Sequence, residues 1–271
     1  MDLLAQHEAF LRAIFDAPDD DTPRLVYADF LQENGEDVRA ELIRVQCDLA
    51  RLDDDCEPDR WAALEERNQW LSQSAIPWDE VPTGNGVTFN RGLWRESFAE
   101  GVAVTGEDLD DPLKFREWVV RVNPAWYGET NLYVRSDYRM LHPEAVRVLC
   151  GLPFIQQVTE WNLAGRFEEL RPYAERSPAE LYNEDFDFMP LAPGIYNRPV
   201  ITTTGVNVLA RNRTASRIRV LDLRDNRLDS DALAQSPYLD NLKQLLLLQG
   251  NDVSGRVWQK VIERFGEDVV E

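Results

Sequence analysis

The sequence predicts an α/β protein, with a helical N-terminal domain in residues 1–76 and a stack of short strands and helices in residues 77–271. Up to residue 75, apolar residues recur at three- and four-residue steps, which is the period of amphipathic helices. Beyond it, short strand-like segments recur at intervals of about 23 to 40 residues, which is typical of repeated units. Helix-like stretches that end near a proline separate them, so strand and helix are expected to alternate.

Four helices are expected in the N-terminal domain. The first covers residues 2–17 and ends at Pro18 and the acidic run that follows it. In the second, Thr22 is the expected N-cap, Pro23 the first helical residue and Gly35 the left-handed stop. The chain between these signals is residues 24–34.

The third and fourth helices carry the apolar stripes that would hold a bundle together. The stripe is strict in residues 38–52, whereas in residues 59–72 it includes an asparagine and is widened by a second tryptophan. Four such helices require a compact bundle with short connections. The stripe residues are Val38, Leu42, Val45, Leu49 and Leu52, then Trp61, Leu64, Asn68 and Leu71 with Trp70 beside them.

Two strings in this domain identify a resemblance. Residues 18–31 read PDDDTPRLVYADFL and residues 39–47 read RAELIRVQC, with Glu33 and Gly35 between them. Over residues 10–52 the chain closely resembles the bacterial repeat-companion domain, although Phe30 stands where that family more often has Trp. The resemblance implies a domain that precedes leucine-rich repeats, and it implies no particular chemistry.

A group of charged residues in this motif could hold paired carboxylates beside arginines, as general acid/base catalysis requires. Arginine–carboxylate pairs between helices are also ordinary structural devices, because they satisfy charges that partial burial would penalise. Without a neighbouring His, Ser or Cys pattern we favour the structural interpretation. The motif residues are Arg24, Tyr27, Asp29, Glu33, Arg39, Glu41 and Arg44.

The second region contains one well-formed repeat, residues 218–228, with the sequence IRVLDLRDNRL. It resembles the LxxLxLxxNxL pattern of leucine-rich repeats, with Ile in the first position. Strand alternation predicts that Leu221 and Leu223 point inward and that Asp222 and Arg224 face out with Val220. The resemblance implies that the amide of Asn226 bonds the backbone that turns away from the strand. It is specific over residues 205–253 and suggestive back to residue 98.

The remaining repeats are irregular. Strands are expected at residues 102–104, 132–134, 158–163, 181, 218–223 and 245–248, and proline-terminated helix ends at 146–153, 170–178 and 232–237, with a further candidate at 123–124. Arg166 occupies the asparagine position of the unit that begins at residue 158. In the last unit Asn251 comes one residue late, behind Gly250, so either a bulge or a register slip is expected. The final helix, residues 256–265, is expected to cap the stack.

Residues 184–204 form an insertion in this pattern. Long loops often carry function, but a packing excursion is the favoured interpretation here. The insertion contains Pro190, Pro193, Pro199, Phe186, Phe188 and Tyr196.

The composition limits the function. A net charge of −20 argues against nucleic acid and anionic membranes as partners, since such binding depends on Lys and Arg. The charge would suit a basic protein partner, but it is also an ordinary means of solubility, which we favour. No signal-like or membrane-spanning run is present, and Cys47, Cys56 and Cys150 form no CxxC pair. A cytoplasmic protein with reduced thiols is therefore expected.

Motifs for metal and nucleotide chemistry are absent. His7 and His142 lie in no zinc spacing and are expected at the surface or at helix ends, and there is no phosphate-binding loop. The acidic clusters 19–21, 53–55 and 108–111 are expected to be helix starts and solvated turns. No cofactor, metal or catalytic residue is therefore expected.

The expected function is non-enzymatic recognition of a protein partner by the concave sheet of a short, irregular leucine-rich-repeat solenoid. One alternative is an acidic inhibitor or immunity-type protein that neutralises a basic toxin or nucleic-acid enzyme, and another is an enzyme that uses the charged N-terminal motif. The expected protein-binding residues, from alternation alone, are Tyr133, Arg135, Glu160, Asn162, Asp222 and Arg224.

Overall fold

The computed structural model describes residues 2–52, 57–75, 87–96, 102–122, 124–134, 140–170 and 194–271. The chain divides into two compact units. The helical unit comprises Met1–Ala99 and Leu113–Glu129, and the sheet unit comprises Glu100–Pro112 and Thr130–Glu271.

The helices are α1 (Leu3–Asp16), α2 (Thr22–Glu33), α3 (Asp37–Arg51), α4 (Pro58–Ala75), α5 (Gly106–Asp110), α6 (Pro112–Val122), α7 (Pro143–Gly151), α8 (Thr203–Ala210) and α9 (Gly255–Phe265). The strands are β1 (Val87–Asn90), β2 (Leu93–Glu96), β3 (Val102–Val104), β4 (Asn131–Val134), β5 (Glu160–Asn162), β6 (Arg166–Leu170), β7 (Gly194–Arg198), β8 (Val220–Asp222) and β9 (Gln244–Leu246). Short 3-10 turns lie at Pro124–Gly128, Pro153–Gln157, Arg213–Arg217 and Leu239–Asn241.

The four predicted N-terminal helices are confirmed as α1 to α4. The start of α2 differs from the prediction, because Asp21 is the N-cap and Thr22 is already helical. The Thr22 amide instead donates to the carboxylate of Asp20 at 2.8 Å. Gly35 has a φ of +84°, as the predicted left-handed stop requires.

The core of the helical unit forms where α3, α4 and α6 meet. Leu42 and Val45 of α3 pack with Leu71 of α4 and Val122 of α6. The rest of the α3 stripe, apart from its last residue, borders this cluster, so that stripe is confirmed up to Leu49. The α4 stripe is narrower than predicted, because Trp61 and Trp70 are 37% and 52% exposed.

The β1–β2 hairpin belongs to the helical unit through its turn. Gly92 has a φ of +84°, and a Cβ there would lie 2.3 Å from the side chain of Ile43. Its amide donates to the side-chain oxygen of Gln46 at 2.6 Å. Arg91 donates to the carboxylate of Asp21 at 2.7 Å. These contacts, together with α6, carry the unit well beyond the boundary predicted at residue 76.

The sheet unit is built on five parallel strands in the order β3-β4-β5-β8-β9, so the mixed α/β prediction is confirmed. The register aligns Leu132, Trp161, Leu221 and Leu245, all of which are buried. Residues 269–271 continue the ladder beyond β9, since the Leu245 amide donates to the carbonyl of residue 269 and residue 271 donates back to Leu245. The predicted strand at residue 181 lies outside the described residues.

Strands β5, β8 and β9 are each preceded by a 3-10 turn, which the sequence analysis missed. Each strand has one central buried residue, which is Trp161, Leu221 or Leu245. A buried residue of the turn lies six positions before it, and another buried residue, just after the turn, lies three positions before it. The 3-10 turn is therefore an additional element ahead of the strand at these places. The first row is Ile155, Ala215 and Leu239, and the second is Val158, Ile218 and Leu242.

Two of the predicted helix ends differ in the structure. Residues 232–237 form turns rather than a helix, and residue 170 ends strand β6. The remainder of the predicted helix end at 170–178 lies outside the described residues. The helix end at 146–153 is confirmed, since α7 ends at Gly151.

Two asparagine amides tie the strand ends to neighbouring backbone. Asn226 Nδ2 donates to the carbonyls of Leu163, Leu223 and Arg224 at 2.7, 3.0 and 2.9 Å, as predicted. Its Oδ1 accepts from the Val200 and Ile201 amides at 2.6 and 3.0 Å. Asn226 is 4% exposed, and its bonds are buried except the one to the Arg224 carbonyl, which is partly buried.

The last repeat contains a bulge and not a register slip. Leu245 and Leu247 are both buried, and the residues that alternate with them are more exposed. Gly250 takes a φ of +66°, and Asn251 then bonds the carbonyls of Leu223 and Leu247. The late asparagine therefore performs the role predicted for the earlier position.

The insertion begins earlier than predicted. Strands β6 and β7 pair antiparallel, with Arg166 opposite Arg198 and Leu170 opposite Gly194. The excursion thus leaves the repeat pattern at residue 166 rather than 184, which explains why Arg166 fills no asparagine role. Among the residues singled out in the insertion, those at 186, 188, 190 and 193 lie outside the described residues.

Candidate functional site

The outward face of the parallel sheet is the candidate functional site. Its first row, set by the register, is Asn131, Glu160, Val220 and Gln244, and its second is Tyr133, Asn162, Asp222 and Leu246. Glu160 and Asn162 are exposed, and the others except Asp222 are half-buried. The opposite face of the same strands forms the core, so only the outward face can meet a partner.

The structure brings most of the predicted binding residues together. Tyr133, Asn162 and Asp222 are consecutive neighbours in one row, and Glu160 lies in the adjacent row. Arg224 follows β8 on the same side and reaches Asp222. Arg135 lies outside the described residues.

Asp222 differs from the prediction, because it is only 5% exposed. Its Oδ1 accepts from the backbone and Nε of Arg224 at 3.1 and 3.0 Å, and its Oδ2 accepts from Nη2 at 2.6 Å. This hydrogen bonding holds the pKa of Arg224 above its ordinary value. The guanidinium satisfies the carboxylate within one strand, so Asp222 supports the face and does not present a charge on it.

The face carries little net charge. On the described residues of β4, β5, β8 and β9, Glu160 is the one carboxylate that makes no ion pair in the structure. Beside β9, the Glu271 carboxylate accepts from Gln244 Nε2 at 3.0 Å. The chain as a whole carries −20, so its acidity lies elsewhere. Polar amides, a tyrosine and aliphatic side chains of this kind suit contact with another protein.

The arginines at positions 39 and 44 and the glutamate at position 41 of the charged N-terminal motif each have a different charged partner among the described residues. Arg39 pairs with Glu36 at 2.6 Å, and Arg44 pairs with Asp29 at 2.7 Å. Arg67 donates to both carboxylate oxygens of Glu41, at 2.7 and 2.6 Å. These bonds hold the pKa of the Glu41 carboxyl below its usual range. The motif residue Glu33 is exposed.

The other two motif residues are buried and bond within the bundle. Arg24 is 1% exposed and donates to the carbonyls of Pro18 and Asp20 at 2.9 and 3.1 Å. The Tyr27 hydroxyl lies 3.0 Å from His7 Nδ1 and accepts from Arg39 at 3.4 Å. These contacts support the structural interpretation of the motif.

His7 is not the surface residue that the sequence analysis expected. It is 5% exposed, its ring meets Tyr27 and Phe30 edge-on, and its Nε2 lies 3.7 Å from Glu36. Burial, followed by the charge of Arg39, holds the pKa of His7 below its ordinary value. A signal was present, since residues 7, 11 and 14 follow helical spacing and all three are buried.

Comparisons with known proteins identified no relative. No protein-family model, no curated protein and no solved structure matches this chain. The resemblances therefore rest on the sequence motifs themselves, and the geometry of the outward face carries the functional argument.

The remaining candidates for chemistry are few. Burial raises the pKa of the Cys47 and Cys150 thiols to about 11 and about 12, which keeps both protonated and unreactive at neutral pH. His142 caps α7, where its Nδ1 accepts from two backbone amides, as expected for a helix-end residue. Within the described ranges no group of three or more His, Cys, Asp or Glu could hold a metal ion.

A cavity of about 370 Å³ lies at the start of α3 in the helical unit. Arg39 and Arg121 line it, but so do the carboxylates Glu36 and Asp37, with Ser74 on the far side. Charges of both signs in the same wall give the cavity no clear preference for an anion or a cation. None of the helices in the described part of the chain is long and apolar enough to cross a membrane.

Proposed function

We propose that the protein is a non-enzymatic, leucine-rich-repeat binding protein whose outward sheet face engages another protein. The observation that carries this proposal is the ordered register, which aligns Tyr133 with Asn162 and Asp222 on one face and seals the other face with apolar residues. A continuous array of side chains on a rigid sheet is the usual recognition surface of repeat proteins.

Three features support the leucine-rich-repeat assignment. The parallel strands follow chain order, apolar residues repeat at the same positions before and within β5, β8 and β9, and Asn226 and Asn251 bond the backbone that leaves the strand. The helical unit would then be a domain of the repeat-companion type. We propose a structural role for its motif residues, because Arg24, Tyr27 and Arg39 are bonded inside the bundle.

The near-neutral face favours a partner with a polar and apolar contact surface. The inhibitor alternative requires a strongly acidic face, because charge complementarity to a basic toxin or enzyme supplies its affinity. Among the described residues of this face and its continuation at residue 271, Glu160 and Glu271 are the carboxylates without an ion pair, which is fewer than a strongly acidic face requires. Binding at this face should consequently change little with salt.

A pull-down from a lysate of the encoding organism tests the proposal. The face variant replaces Glu160 and Asn162 with arginine, since both side chains are exposed and the bond that Asn162 accepts from the Ala164 amide is also exposed. The matched control replaces Gln259 and Glu267 with arginine, which gives the same change in charge. Gln259 lies on α9, Glu267 follows it, and both are exposed. Asp222 and Arg224 are unsuitable for this test, because removing Arg224 leaves a buried carboxylate without its partner.

The proposal predicts a protein that the native chain and the control retain and the face variant loses, at low and at moderate salt. Retention by the face variant would place the interface elsewhere. Loss of the protein from the native chain at moderate salt would favour the inhibitor alternative.

A further inference from the structure

The acidic chain contains one long stretch without a carboxylate. No Asp or Glu occurs between Asp187 and Asp222, although the whole chain has 49 acidic residues among 271. Five arginines fall in that stretch, four of them within residues 211–219. The described structure places these four together with Lys243, and we call this group the arginine strip: Arg211, Arg213, Arg217, Arg219 and Lys243.

The arginine strip lies at the N-terminal ends of the parallel strands β8 and β9. Arg213 and Arg217 are the first and last residues of one 3-10 turn, and Arg219 immediately precedes β8. Lys243 precedes β9, and its amide donates to the Arg219 carbonyl at 2.7 Å. Arg211 is the C-cap of α8, two residues before the same turn. The backbone bond thus brings Arg219 and Lys243, from two successive repeats, side by side.

All five side chains are exposed, and none makes an ion pair in the described part of the chain. Other cations of the same unit behave differently, since Arg224, Lys260 and Arg264 reach Asp222, Asp231 and Asp240. The carboxylate of Asp240, in the 3-10 turn before Lys243, is therefore already engaged. On the described ladder, Glu160 is paired in register with Val220, and the Glu271 carboxylate accepts from the side chain of Gln244, which follows Lys243.

We propose that the arginine strip is a second interaction surface, which binds a short acidic segment of a protein partner. Arginine favours carboxylates, because its planar fork can hold both oxygens at once. The strip lies at the edge of the sheet and does not depend on the outward face, so the inference stands apart from the proposed function.

The charge of the whole chain selects a short protein segment over a nucleic acid. Screening confines the attraction of the strip to roughly 8–10 Å at physiological ionic strength. A short acidic peptide can remain within that range. A long polyanion extends past the strip into the field of a chain that carries −20, where it is repelled.

The test is a fluorescence-anisotropy titration with two labelled probes, a short peptide of alternating glutamate and glycine and a long single-stranded DNA. The strip variant replaces Arg213 and Arg217 with glutamate. The matched control replaces Arg227 and Arg256, which are also exposed and outside the strip, so the change in net charge is identical. A third variant, with glutamine at positions 213 and 217, removes charge without reversing it. Circular dichroism establishes that each variant is folded before titration.

The proposal predicts saturable, salt-sensitive binding of the peptide that weakens roughly tenfold or more in the strip variant and less in the glutamine variant. The control should bind the peptide nearly as well as the native chain. Equal loss in strip variant and control would show that net charge alone decides binding, and would overturn the proposal. So would absence of peptide binding, or tighter binding of DNA than of peptide.

Discussion

The two units satisfy their buried polar groups in different ways. The helical unit uses side chain to side chain contacts between distant charged residues, such as Arg116 with Glu8 and Arg91 with Asp21. The sheet unit uses neutral amides that bond the backbone, as Asn226 and Asn251 do. Each unit has an exception. Asp222 pairs with Arg224 next to β8, and Arg24 of the helical unit donates to the backbone carbonyls of Pro18 and Asp20.

This difference predicts different sensitivities. A charged pair in the core stabilises the fold only when both partners are present and ionised. If one partner is removed, the other remains as an uncompensated buried charge, which destabilises the fold. An amide that bonds backbone carbonyls carries no charge, so pH and salt leave it unchanged, but it cannot be replaced by any group without both donor and acceptor. The helical unit should therefore respond to pH, and the sheet unit to loss of single amides.

The largest effect is expected from Asn226→Leu in the sheet unit. The substitution removes five hydrogen bonds, at a cost of roughly 3–5 kcal/mol. The Leu223 and Arg224 carbonyls keep Asn251 and Gly165 as donors, so the cost falls mainly on the buried bonds to the Val200 and Ile201 amides and the Leu163 carbonyl. Hydrogen-exchange mass spectrometry of the peptide that covers β8 measures the loss. Asn241→Leu is the control, since its single bond to Ser216 is exposed, and it should cost far less. Similar costs for both would remove the structural role of Asn226.

In the helical unit, Arg116→Met should cost about 3 kcal/mol of the free energy of unfolding. Arg116 donates to both oxygens of Glu8 at 2.5 and 2.9 Å, and the Glu8 side chain is only 6% exposed. The double variant with Glu8→Gln should recover much of the loss, because no charge is then left buried. Urea denaturation followed by circular dichroism measures all three proteins. A double variant no more stable than the single one would contradict this account of the pair.

A smaller effect is expected at the turn of the hairpin. Gly92→Ala and Gly35→Ala both place a side chain at a φ of +84°, which alone costs about 1 kcal/mol. Only at Gly92 does the new Cβ also collide with Ile43, so we expect about 2 kcal/mol there. The same denaturation experiment compares the two variants. Equal costs would mean that the hairpin turn does not dock on α3.

Sequence periodicity predicted the local elements well and the long-range contacts poorly. The α3 stripe and the amide bonds of Asn226 follow from spacing within one helix or one repeat. The docking of Gly92 on Ile43 joins residues about fifty positions apart, and no local pattern signals it. The compact helical unit therefore extends past residue 76 through contacts that the local pattern does not signal.

The same limit applies to the candidate site. Alternation correctly placed Tyr133, Glu160 and Asn162 on the outward face, but it could not reveal which residues are neighbours, because the β6–β7 excursion separates β5 from β8. Alternation also treats Asp222 as exposed. Its burial depends on Arg224, two residues later on the same side of the strand, and that spacing was the available signal.

The smallest expected effect is the contribution of His7 to the pH dependence of stability in the helical unit. Burial lowers the pKa of His7 in the folded state, so the fold holds the imidazole neutral. Below the ordinary histidine pKa of about 6.5, His7 binds a proton in the unfolded chain but stays neutral in the folded chain. The stability contributed by neutral His7 is therefore complete above that pH and is lost as the pH falls. The free energy of unfolding should decline between about pH 6.5 and 5, before most carboxylates titrate.

His7→Gln should flatten this decline, because glutamine can still bond the Tyr27 hydroxyl but gains no proton. His142→Asn is the matched control, since the chain has only these two histidines and asparagine also caps helices. Urea denaturation at several pH values, followed by circular dichroism, should give the native slope for the control. If the free energy of unfolding of His7→Gln declined with falling pH as steeply as that of the native chain, other groups would cause the acid sensitivity. A reversed slope in the native chain would contradict a buried neutral histidine.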